Sequence, residues 1–161
     1  MGSFNIDSSK GRITDIKGNI DTKKKELSDL EKKKQQLIDG RIELDDARMD
    51  EETQRIVAEG LAKAREKITE RSKELSSELD GDASVLEEMA QETDDVKSDT
   101  DVQRKKTEQK KALLDKVGLG ASLDNAINKR DDSSSQLSEL RTSISETSQE
   151  IRNLQAQLNS L

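Results

Sequence analysis

From Ile6 onward the apolar residues recur every seven positions. Ile6, Ile13, Ile20 and Leu27 form one row, and Ile16, Leu30, Leu37 and Leu44 form a second row offset by three. These are the a and d positions of a heptad repeat, the pattern of a helix that buries one narrow stripe. Lys34 and Arg41 continue the first row, and Ser9 and Lys23 lie in the second. The long aliphatic stems of Lys and Arg can lie along an apolar seam while the charge reaches water, so these positions weaken the stripe without ending the helix. The C-terminal end repeats the pattern more densely. Leu123, Arg130, Leu137, Ile144, Ile151 and Leu158 take one row, and Ala126, Ser133, Leu140, Thr147, Leu154 and Leu161 the other.

Two sparser stretches lie between these ends, one with Val57, Leu61, Ala64, Ile68 and Leu75, the other with Leu86, Met89, Thr93 and Val96. Leu79-Asp80-Gly81-Asp82-Ala83 separates them. Glycine enters positive φ cheaply after a helix and Asp82 has capping chemistry, so the spacing predicts a turn at residues 80–83. A fold-back there pairs the rows of the two ends at a constant residue sum of 160: Ile6 with Leu154, Ile16 with Ile144, Ile20 with Leu140 and Leu37 with Leu123. Nearer the tip the sum is about 161, pairing Ile68 with Thr93 and Leu75 with Leu86. The expected fold is all-α, a single domain over 1–161 built as a long antiparallel coiled-coil hairpin. Its leucine-rich base is 5–45 with 120–161, and its distal arm is 46–117. The alternative is a four-helix bundle with breaks near residues 46, 81 and 119.

Gly40, Gly118 and Gly120 fall at one level of that hairpin. Each glycine inside a helix costs roughly 1 kcal/mol relative to alanine, so the three together predict an elbow where the arms bend. Apolar residues off the main seam cluster around it, Ile38 and Ile42 on one strand and Leu119 and Ile127 on the other, with Leu123 of the seam beside them. A spacing of four puts Ile38 and Ile42 on one helix face. A two-stranded hairpin does not need a second apolar row, so these five residues are the expected docking surface for a helical protein partner or a second copy of the chain.

Composition narrows the functional classes. The chain carries 39% charged residues and 29% hydrophobic ones, with one Phe and no Trp, Tyr, Pro, Cys or His. Acid–base and nucleophilic catalysis have few of their usual residue types here, and carboxylates on a helical surface have no apolar pocket to raise their pKa. Gly118-Leu119-Gly120 has neither the third glycine nor the preceding strand of a dinucleotide-binding loop. Asp94 to Asp101, DDVKSDTD, lacks the central glycine and terminal Glu of a calcium loop. These features predict a chain that is not an enzyme and uses no cofactor, metal or small-molecule substrate.

The formal net charge of −7 argues against a nucleic-acid binder. Lys23-Lys24-Lys25, Lys32-Lys33-Lys34 and the stretch from Lys105 to Lys111 are interleaved with or flanked by acidic residues and have no aromatic to stack on a base, so they read as solvated coiled-coil flanks. No apolar run reaches the length of a membrane span and the start lacks a secretory-signal layout, which together predict a cytoplasmic protein, with export by a non-classical route left open. Gly2 fails the myristoylation motif because position 6 is Ile.

The stretches IKGNIDTKKKELSDLEKKKQQL (16–37) and SISETSQEIRNLQAQLNSL (143–161) resemble the small helical-hairpin proteins that accompany LXG-type toxins in Gram-positive type VII secretion. The resemblance implies a targeting factor or chaperone that pairs with the helical N-terminal region of such a toxin. The W-x-G turn of that group is replaced by Gly118-Leu119-Gly120, and no Y-x-x-x-[DE] tail follows.

Overall fold

The computed structural model of the protein describes residues 5–46, 50–118 and 124–161, with the side chains of 41–46 and 124–126 outside that description. It is all-helical over these residues. Three helices follow in order: α1 (Ile6–Asp46), α2 (Glu51–Asp115) and α3 (Asp124–Asn159).

Local chemistry sets the helix ends. Asn5 caps α1, its Oδ1 accepting the backbone N–H of Asp7 at 2.9 Å and of Ser8 at 3.3 Å. Asp50 does the same for α2, accepting the Thr53 N–H at 2.8 Å, with Glu51 and Glu52 in the first turn where the helix dipole favours negative charge. The end of α2 is a turn in which the Gly118 N–H donates to the Asp115 carbonyl at 3.1 Å and Gly118 takes φ +80°. That left-handed geometry is the usual helix stop and favours glycine.

Gly81 does not turn the chain. It lies inside α2 with helical backbone, so the expected reversal at 80–83 is corrected, and with it both the single hairpin and the fourth helix. The reason is energetic. Leu75, Leu79, Leu86 and Met89 are all buried, at 0 to 2% exposure, and with half-buried Asp82 they follow one another at steps of three or four along a single stripe. Burying one such side chain gains about 1.5–3 kcal/mol, which outweighs the roughly 1 kcal/mol cost of a helical glycine on the exposed flank. The chain reverses instead after α1 and after α2.

The residues divide into two compact units: Met1–Asp15 with Ser84–Ser148, and Ile16–Ala83 with Gln149–Leu161. In the first, α2 and α3 run antiparallel. Asp94 with Arg141, Lys97 with Ser138, Asp101 with Ser134 and Arg104 with Asp131 all pair at one residue sum, 235. Its core joins Ile13 of α1 to Leu86 and Met89 of α2 and to Leu137, Leu140 and Ile144 of α3. The buried hydroxyls of Thr93, Thr107 and Thr147 each donate to the carbonyl four residues earlier, so these seam positions bury a polar side chain with its hydrogen bond made.

In the second unit α1 and α3 both run antiparallel to α2. Lys23 pairs with Glu78 at 3.3 Å and Glu26 with Arg71 at 2.8 Å, while Gln155 donates to the Ser76 carbonyl and Ser72 to that of Leu158. It follows that α1 and α3 point the same way here, opposite to the arrangement that a residue sum of 160 requires. Ile16, Ile20, Leu27, Leu30, Ile68, Leu75, Leu79, Ile151, Leu154 and Leu158 form the core. Lys34, in the polar gap of the heptad, donates to the Leu161 carbonyl at 2.9 Å, a cation at the C-terminal end of α3.

Candidate functional site

In the second unit, antiparallel pairing of α1 with α2 brings Leu30 and Leu37 opposite Ala64 and Ile68. Leu30 and Ile68 are buried, whereas Leu37 and Ala64 are only half-buried, because the groove above them, of about 450 Å³, is open to solvent. Lys33 and Gln36 of α1 form one wall, and Lys67 and Arg71 of α2 the other. The floor is apolar and both walls carry cations.

Those cations differ in their availability. Arg71 is fully engaged: its Nε and Nη2 donate to the two carboxylate oxygens of Glu26 at 2.8 and 3.1 Å, and its Nη1 donates to Glu74 at 2.9 Å. The hydrogen bonds to Glu26 first and Glu74 second hold its pKa above the ordinary guanidinium range, so it is a fixed, neutralised post at one end of the groove. Lys33 and Lys67 are exposed and make no ion pair or hydrogen bond with another described residue. Gly60, four residues before Ala64, and Gly40, three after Leu37, share a helix face with those residues by spacing, and a Cβ at either would meet nothing within 4 Å.

The expected partner-binding residues are placed as follows. Ile38 lies on α1 beside Leu37 and is 45% exposed. Ile42 belongs to the same helix, but its side chain lies outside the described residues, as do Leu119 and Leu123. Ile127 is half-buried on α3 in the first unit, whereas Ile38 belongs to the second. Among the expected hinges, Gly40 is an interior residue of α1 with helical backbone, Gly118 terminates α2, and Gly120 lies outside the described residues.

Sequence reasoning missed Lys33, Lys67, Ala64 and Ile68 as a group because it set α1 against the C-terminal helix. The signal was present in the acidic start Asp50-Glu51-Glu52, which marks a new helix and hence an α1–α2 reversal. Among the described residues no cluster of His, Cys, Asp or Glu is arranged to hold a metal ion, and no helix is long and apolar enough to cross a membrane. No protein-family model matches the chain, and no curated protein or solved structure is detectably similar to it.

Proposed function

We propose that this is a non-enzymatic interaction protein that binds an amphipathic helix of a partner protein in the α1–α2 groove of its second unit. One observation carries the reading: an open apolar floor, Leu30, Leu37, Ala64 and Ile68, lies between walls that each present a lysine with no ion pair or hydrogen bond to another described residue. A helix fits such a trough when its apolar face is flanked on both sides by Glu or Asp, one flank meeting Lys33 and the other Lys67. Gly40 and Gly60 leave room for large side chains of the incoming helix. In its sharpest form the protein is an adaptor or chaperone for the helical region of a secreted toxin, as the resemblance of 16–37 and 143–161 to type VII accessory proteins implies.

The test uses three synthetic peptides of three heptads each, with the same Leu and Ala face and with Glu, Gln or Lys on both flanks, titrated against the full chain by fluorescence anisotropy. The Glu-flanked peptide binds and the Lys-flanked one does not. Lys33→Glu with Lys67→Glu, both on the surface, inverts that preference, and Gly60→Leu weakens binding at least tenfold by filling the trough. Failure of all three peptides to bind overturns helix docking. Equal binding of all three overturns the acidic character of the partner.

A further inference from the structure

A second heptad stripe runs along a flank of α2 within the first unit, and its charge changes sign halfway. Its N-terminal half carries Glu88, Glu92, Asp95 and Asp99 around Val85, and its C-terminal half carries Lys106 and Lys110 between Val102 and Leu113. All of these residues are exposed, and the three apolar side chains are the sort that a solvated helix flank does not need: Val85 is 37% exposed, Val102 50% and Leu113 65%. Glu88, Glu92, Asp99, Lys106 and Lys110 make no ion pair or hydrogen bond with another described residue.

We infer that this flank of α2 is a self-complementary interface, on which a second copy of the chain docks antiparallel about a two-fold axis near Asp99. The axis sets Glu88 of one copy over Lys110 of the other, Glu92 over Lys106 and Val85 over Leu113, and repeats each contact on the far side. A two-fold interface requires one surface patch to be complementary to itself, and a stripe acidic at one end and basic at the other meets that condition only when the copies run in opposite directions. Parallel pairing lays like charge on like. A flat anionic surface suits this flank poorly, since the acidic half would face it together with the basic half. Exposed ion pairs fix orientation and register more than strength, so the dimer is weak and salt-sensitive, with the valines and leucine supplying its apolar contact. Asp99 meets its own copy at the axis, the one unfavourable contact of the arrangement. This interface is independent of the groove in the second unit.

Charge reversal gives a test in which each arm checks the others. Sedimentation velocity over a wide concentration range in low salt should show a monomer–dimer equilibrium that shifts to monomer in high salt. Lys106→Glu with Lys110→Glu makes the stripe wholly acidic, Glu88→Lys with Glu92→Lys makes it predominantly basic, and each variant alone should sediment as monomer. Mixed in equal amounts the two should form a heterodimer, because every reversed charge again meets its opposite. Asp99→Asn should tighten the wild-type dimer. Circular dichroism of these exposed variants should be unchanged. A wild-type chain that stays monomeric throughout, a dimer indifferent to both reversals, or a mixture that fails to associate each overturns the interface, and weaker association of Asp99→Asn moves the axis away from that residue and overturns the pairing.

Discussion

Gly81 and Gly118 look alike in the sequence, each beside a leucine-bearing stretch and each a candidate stop, yet one is helical and the other is left-handed at φ +80°. The difference lies in what a stop would cost. Ending α2 at Gly81 would interrupt the stripe between Leu79 and Leu86, both fully buried, whereas the residues after Gly118 do not continue the α2 stripe in phase. Opposite outcomes are expected for one substitution. Gly81→Ala adds a Cβ in open space and should stabilise the chain by about 1 kcal/mol through helix propensity. Gly118→Ala also has open space, but it places a Cβ on a left-handed backbone and should destabilise by about 1–2 kcal/mol. Urea denaturation followed by far-ultraviolet circular dichroism checks both, and equal shifts of the two midpoints would contradict the assignment.

At the scale of the element, inward faces were legible and partnerships were not. The seam positions read from the heptads are those buried or half-buried wherever α1 and α3 are described, with Ser133 the exposed exception, because a row of Ile and Leu at seven-residue spacing identifies the inward face whatever lies opposite it. Which helix lies opposite is a different matter. A regular heptad matches another at many offsets, so the sum of 160 was satisfied by rows that the fold does not pair. Polar residues outside the apolar rows settle the register instead: Arg71 with Glu26, Arg104 with Asp131. Asp50 supplies an element-scale prediction. Hydrogen bonds from Thr53, the side chain first and the backbone N–H second, hold its carboxyl below the ordinary value of 3.8. A carboxyl depressed on folding stabilises the folded chain fully above its unfolded pKa and loses that contribution as pH falls through the lower folded value. Asp50→Ala should therefore be less stable than the wild type at neutral pH, with the gap between them closing below about pH 4. Thermal melts of both chains from neutral to acid pH test this, and a gap that persists in acid would show that the cap acts without its charge.

Across the whole molecule, the composition of the seam changes from place to place, and stability should follow it. Where α2 passes Leu75, Leu79, Leu86 and Met89 these seam side chains are apolar and at most 2% exposed. Further along, from Lys97 to Thr107, the pairing with α3 is carried by Lys97 to Ser138, Asp101 to Ser134, Arg104 to Asp131, and Arg130 to the Gln103 carbonyl and the Thr107 hydroxyl. The Asp131 carboxylate, through its hydrogen bond and then its charge, raises the Arg104 pKa, so the guanidinium stays charged. Half-exposed ionic contacts contribute little each and weaken with salt, whereas aliphatic burial is indifferent or strengthened. Local opening should therefore begin in 97–115 with 127–134, leaving 68–93 and 137–158 protected. Amide hydrogen exchange resolved by peptide should show the first group exchanging fastest, with the difference widening as sodium chloride is raised. Uniform protection along α2 would mean that the polar seam is as strong as the leucine seam and that its ion pairs are worth far more than their exposure implies.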